Sequence, residues 1–191
     1  VEALITAVPA PGNIAIIYKE NKYGEELLRF FKLKNLPVYS KRSVNLLRDP
    51  LINKIMLIIS YLATEHEIPF SGDEMLFEIL HADWFHIPAI EIATLTAEVT
   101  QKQYTSGKTS LRKWLSDKAG QPAPDLFAKP MNQQLAAAGR VLESLISKVS
   151  NTTVQNLFEC IFRETGILNE VMNSPQKLEM LQVLTSLFDV I

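Results

Sequence analysis

Glu78, His81, Asp83 and His86 are the one stretch of this chain where carboxylates and imidazoles, the donors of a zinc-type site, crowd together. The two histidines stand five positions apart, which puts them on different faces of a continuous helix, and Trp84-Phe85 between them suits a packed turn better than a ligand set. They therefore read as ordinary helix-end residues, with no metal and no catalytic residue assigned. A free-standing hydrolase built on Glu78, His81 and His86 is the weakest functional reading. Cys160 shares an apolar helical face with Leu157, Phe158 and Ile161 and reads as a buried, inert thiol. Trp84 and Trp114 could stack on bases, but core packing is the favoured role for both. Asn151-Thr152-Thr153 matches a glycosylation sequon, yet it reads as the cap of the helix that follows. There is no GxxxxGK[ST] phosphate loop, and no GxGxxG, CxxC, HExxH or GxSxG motif. Without a phosphate cradle, hydrolysis of a nucleotide by this chain alone is not expected.

The 191 residues carry 19 Lys and Arg against 21 Asp and Glu, a net charge of −2 that argues against a generally basic nucleic-acid binder. The layout is more telling than the total. Residues 19–48 hold eight basic and three acidic side chains, residues 65–98 eight acidic and no Lys or Arg, and residues 102–118 five basic and one acidic. Solvated helix faces are the favoured reading of such a layout, and a basic surface meeting phosphates is the competing one. A single cysteine excludes an intrachain disulfide and fits a reducing, cytoplasmic setting. No apolar run is long enough to cross a bilayer, so no membrane partner is expected.

The elements that must position these residues are mostly helical. Ile14-Ala15-Ile16-Ile17-Tyr18 reads as a buried strand, Leu27, Leu28 and Phe31 as one helical face, and Pro37-Val38-Tyr39 as a second extended stretch. Together they predict a small parallel βαβ strip, whose missing strands would lie elsewhere in a longer protein. Asp49-Pro50 predicts a capped start for a central core helix running past Ile59. Ser71-Gly72-Asp73-Glu74 has the form of a capping box before Met75, Leu76, Ile79 and Leu80. Further helices are predicted after Pro88 (Ile92, Leu95, Val99), at residues 111–115, 132–149 and 154–164, and from Ser174-Pro175 to the end. A last helix running to Ile191 and a start at Val1 point to a piece excised from something larger.

The order of these features resembles the UvrD/Rep-type superfamily 1 DNA helicases. Ile14 to Asn21, then Leu27, then Leu36-Pro37-Val38-Tyr39 resemble the family's strand ending in Tyr-Arg-x-Asn and the helix reaching Gly-Ile-Pro-Tyr. Leu46-Leu47-Arg48-Asp49-Pro50 and the helix through Tyr61-Leu62 resemble the next family motif, with a RecB/AddA flavour. Leu76 to Leu80, Leu157-Phe158-Glu159, Glu164 to Leu168 and the stretch from Met180 to Phe188 resemble the helices of the inserted subdomain called 2B. The resemblance implies that residues 1–42 are a partial, RecA-like motor-domain segment and residues 43–191 the helical 2B-like accessory subdomain. The fold class expected is thus mainly α, with the small βαβ strip. The implied parent is an ATP-dependent 3′-to-5′ DNA helicase of repair or recombination, using ATP and Mg2+. This piece would hold no cofactor of its own and would position duplex DNA or a partner protein.

Departures from the family pattern narrow the site. Lys19 replaces the family's Arg and loses its bidentate fork. The turn written Arg-Gly-Ile-Gly in the family falls at Phe85-His86-Ile87-Pro88, where both glycines and the Arg are gone. Candidate DNA-contacting residues are therefore Lys19, Lys32, Lys34, Lys41 and Arg42 in the first segment, and Lys108, Arg112 and Lys113 in the second. The competing expectation is a helical protein-interaction module, for example within a helicase-nuclease complex.

Overall fold

A computed structural model describes residues 14–34, 36, 38, 46, 49–120 and 131–190. By its internal contacts the chain divides into two units, Val1–Ser43 and Val44–Ile191. Among the described residues there are nine α-helices, one 3-10 turn and no strand.

In the first unit, α1 (Asn21–Leu33) is an amphipathic helix that buries Phe31. The expected strand at residues 14–18 is not formed. These residues are irregular, and Ile17 is 95% exposed. A short run of β-branched and other apolar residues marks a segment that could join a sheet, but a strand exists only when a neighbour pairs its backbone groups, and no such neighbour is found among the described residues. Tyr18 instead lies against Gly24, where a Cβ would fall 2.3 Å from the ring. The predicted second strand has Val38 outside any ladder; Pro37 and Tyr39 lie outside the described residues.

The second unit is a layered helical domain around one core. Its central helix, α2 (Pro50–Glu67), starts as the sequence predicts: Asp49 Oδ1 accepts from the amides of Leu51 and Ile52, and Pro50 occupies the first turn, where no amide is needed. Ile52, Ile55, Ile58, Tyr61 and Leu62 are fully buried. Helix α2 packs on α3 (Asp73–Leu80), α6 (Gln133–Val149) and α9 (Lys177–Phe188). Helix α4 (Ala89–Ser106) buries Ile92, Leu95 and Val99 and packs on α5 (Leu111–Gly120), which crosses α6. Helix α7 (Val154–Glu164) begins at Thr153, whose hydroxyl accepts from the Asn156 amide. This is the capping role predicted for that threonine-rich stretch.

Several boundaries differ from the sequence reading, among them α5, which runs to Gly120 rather than stopping at residue 115. The region after residue 164 holds two helices rather than one: α8 (Ile167–Asn173) follows Gly166, whose φ of +87° makes a left-handed turn that periodicity alone does not signal. Helix α9 starts at Lys177 and ends at Phe188, short of the chain's last residues. The capping box at residues 71–74 does not form: Gly72 occupies the cap, Ser71 donates to the Ile68 carbonyl, and the amides of Phe70 and Gly72 are taken by Glu65 from α2.

Gly72 is held there by space as well as by hydrogen bonding, because a Cβ would lie 2.8 Å from the ring of Tyr61 and 3.0 Å from Glu65 Oε1, both buried groups. Gly72→Ala is therefore expected to lower unfolding free energy by ~1–3 kcal/mol, the usual cost of overpacking a core. Urea denaturation measures it, and an unchanged midpoint would contradict this packing.

Candidate nucleic-acid interface

The basic stretch at residues 102–118 forms a corner of the second unit where α4 ends, turns through Gly107 at φ +96° and re-enters as α5. Gln103 Nε2 donates to the Thr109 carbonyl, and Ser110 Oγ accepts from the Lys113 amide, so the turn is tied at both sides. Lys108 and Lys113 are exposed at this corner and form no ion pair among the described residues. Lys102, also exposed, sits with its Nζ 3.7 Å from the centre of the Trp114 ring.

Arg112 has a different role from its neighbours. Its guanidinium donates from Nε and Nη2 to both oxygens of Glu143 on α6, at 2.7 and 2.8 Å, and from Nη1 to Glu65 on α2 at 2.5 Å. The Glu65 side chain is fully buried and that of Arg112 is 12% exposed. Glu65 also accepts from the amides of Phe70 and Gly72, and Asp73 on α3 accepts from the amides of Leu111 and Arg112 at the start of α5. The guanidinium lies over the Phe70 ring, 5.0 Å from its centre. Hydrogen bonds from Arg112 to Glu143 lead the effects that raise its pKa, against the cost of burial. Burial first, then the Glu65 carboxylate, raises that of Tyr61. Arg112 is thus removed from the candidate phosphate contacts: its donors are spent on two carboxylates inside the fold.

Neither tryptophan offers a free face for a base. Trp84 is buried. Trp114 donates to Glu98 and carries Lys102 and Lys118 over its ring. Burial opposes ionisation of Glu98, but hydrogen bonds from Lys118 and Trp114 outweigh it and hold the carboxyl below its ordinary value. Lys148 does the same for Glu164 through a 2.6 Å bond.

The histidine-carboxylate cluster is dispersed. His81 Nδ1 lies 2.8 Å from the Phe77 carbonyl oxygen, Asp83 bonds Lys54 at 2.8 Å, His86 lies 4.0 Å from Glu170, and Glu78 is exposed. Among the described residues no group of three or more His, Cys, Asp or Glu is placed to hold a metal ion. No helix among them is long and apolar enough to cross a membrane. Two clefts beside Trp84 measure about 160 and 190 Å3. Both are below the roughly 300–1,000 Å3 typical of small-molecule sites, so neither would take a nucleotide.

No family model, curated protein or solved structure matches this chain.

Of the remaining sequence-predicted contacts, Lys19 is exposed, and Lys34 is exposed with its Nζ 5.9 Å from the centre of the Phe30 ring. Lys32 falls within α1, but its side chain is not described, and Lys41 and Arg42 lie outside the described residues. The residues that sequence reasoning missed are Glu65, Asp73 and Glu143. A signal existed for the first: Ile58, Tyr61, Leu62 and Glu65 fall at helical spacing on one face, so the apolar stripe of α2 runs straight into a carboxylate.

Removing Arg112 leaves Glu65 buried without its cation, so Arg112→Ala is expected to cost about 3–5 kcal/mol of stability, read by urea unfolding. A loss under ~1 kcal/mol, as for an exposed pair, would contradict the burial. Glu98 and Glu164 have depressed folded pKa values, so they bind fewer protons in the native state than in the unfolded one. Their contribution is present above the ordinary carboxylate range and is lost as pH falls through their folded values. Thermal stability should therefore fall below about pH 4, and Lys148→Met should flatten that fall.

Proposed function

We propose that this chain is part of an ATP-dependent 3′-to-5′ DNA helicase of the UvrD/Rep type. Residues 1–42 would be an edge of its second motor domain and residues 43–191 its accessory 2B-like subdomain. The subdomain's work is to position duplex DNA beside the motor, and the ATP and Mg2+ chemistry belongs to other parts of the parent. The observation that carries this reading is the basic corner between α4 and α5. There Lys108 and Lys113 project without ion pairs among the described residues from a helical unit. Phosphate neutralisation needs such side chains, held in place yet free of carboxylates.

Two further features support it. The contact-based division between Ser43 and Val44 falls one residue after the boundary between residues 42 and 43 that the resemblance implies. At Phe85-His86-Ile87-Pro88, the stretch similar to the family's glycine turn, His86 takes a left-handed backbone with φ +50° and ψ +32°. A left-handed turn is thus formed here by a residue other than glycine, in acidic surroundings, so the phosphate surface is assigned to the α4–α5 corner.

The test is binding of the purified chain to a duplex with a 3′ single-stranded tail across a salt series. Lys108→Ala combined with Lys113→Ala is expected to weaken binding and to reduce the salt slope by about two, one for each phosphate that the lysines no longer neutralise. No binding at low salt would overturn the DNA-positioning role and leave the helical protein-interaction module. ATP hydrolysis by the chain alone would contradict its assignment as an accessory piece.

A further inference from the structure

The second basic-acidic contrast of the chain lies on the opposite kind of surface. One cleft of about 160 Å3 opens between α2 and the end of α3; Leu57, Ile79 and Trp84 are among the apolar residues that line it, and Lys54, Glu78 and His81 are its polar lining. It has room for about one large side chain. Beside it Phe77 is 44% exposed, its ring tilted 58° against the imidazole of His81 with the ring centres 4.6 Å apart.

Glu78 is in an unfavourable place for an acid. It stands in the last turn of α3, where the helix dipole disfavours negative charge, and no basic residue lies in that turn. Glu74 stands one turn earlier on the same face, and like charges at this spacing repel. Both are exposed, and neither has an ion pair among the described residues. Lys54, which lines the cleft, is paired with Asp83 at 2.8 Å. Three acids of the same stretch have internal partners, Glu65 with Arg112, Asp73 with two amides and Glu98 with Lys118, whereas Glu67 is exposed without an ion pair among the described residues. Glu74 and Glu78 are likewise without one.

We propose that this cleft is the docking site for a short basic segment of another protein. One apolar side chain of the segment enters between α2 and α3, and its flanking Arg or Lys residues meet Glu74, Glu78 and the open face of Phe77. Charge complementarity selects the occupant. With Lys54 paired to Asp83, the unpaired Glu78 in the lining and Glu74 one turn away disfavour nucleic acid, the aromatic face favours a guanidinium or ammonium, and the cleft is too small for a cofactor. The chain's own basic stretch is a poor occupant for a second copy, because its aliphatic residues Leu111 and Leu115 are buried in its own core. The site is separate from the α4–α5 corner, so a failure to bind DNA leaves it standing.

The two tryptophans allow a direct test. Trp84 lines the cleft with an indole N–H that is buried and has no acceptor among the described residues, whereas the Trp114 indole N–H is bonded to Glu98. The 15N-labelled full chain is titrated with short capped peptides carrying a central Leu, Ile or Phe flanked by Arg, and with controls in which Glu replaces Arg. Trp114→Phe assigns the indole signals. A saturable shift of the Trp84 indole signal with an Arg peptide, absent with the Glu controls, is expected. Glu74→Gln combined with Glu78→Gln, both surface changes, should weaken the affinity by about fivefold, the scale of two exposed ion pairs. The proposal is overturned by an unmoved Trp84 signal with all three Arg peptides at millimolar concentration, by equal shifts with the Glu controls, or by unchanged affinity in the double variant. Self-association of the chain that disappears in the same variant would also overturn it, in favour of a second copy.

Discussion

A buried carboxylate at the end of an apolar helix is the constraint around which the helical unit is organised. Glu65 cannot be left in the core alone, since an unpaired buried charge costs several kcal/mol. Its solution draws in four parts of the chain: the turn after α2 through the Phe70 and Gly72 amides, α5 through Arg112, α6 through Glu143, which shares the same guanidinium, and α3 through Asp73, which caps α5. Apolar packing brings these helices together, but packing tolerates small slides and rotations. A fork-shaped cation with two carboxylates tolerates few. The register of α2, α5 and α6 is therefore tied to one side chain.

This arrangement separates structural charge from available charge within a few residues. Arg112 faces inward and Lys113 outward, and Lys108 lies in the turn just ahead. The inward residue holds α5 in place; the outward ones then project from a fixed platform rather than a loose loop. The acidic side of the unit divides likewise. Glu65, Asp73 and Glu98 are consumed in bonds that build the fold, and Glu74 and Glu78 are left facing solvent beside an apolar cleft. Within the second unit, exposed lysines at the α4–α5 corner and exposed carboxylates on α3 thus stand beside charged neighbours that are spent inside the fold.

Much of the helical unit was legible in the sequence. Apolar spacing located α2, α4, α6 and α7, and Asp49, Asn132 and Thr153 do mark helix starts by accepting amide hydrogens. What was not legible was non-local. Residues 14–18 are a β-branched apolar run like that of a buried strand, but strand formation depends on a partner that the segment does not itself contain. Ser71 and Glu74 have the spacing of a capping box, yet Glu65 from the preceding helix takes the amides first, and Asp73 is directed to a helix thirty-eight positions away. Arg112 looked like its lysine neighbours because sequence reports charge and not direction. Only the folded positions of Glu65 and Glu143 show that it is a core residue in function.

Native-state hydrogen exchange at the Phe70 and Gly72 amides tests this most directly, because both donate to Glu65 from a turn that would otherwise open easily. If the Glu65–Arg112–Glu143 network holds the unit together, these two amides exchange only through global unfolding, with the same free energy and denaturant dependence as amides in the middle of α2 and α6. Exchange at the rate of an ordinary surface turn, insensitive to denaturant, would contradict the account.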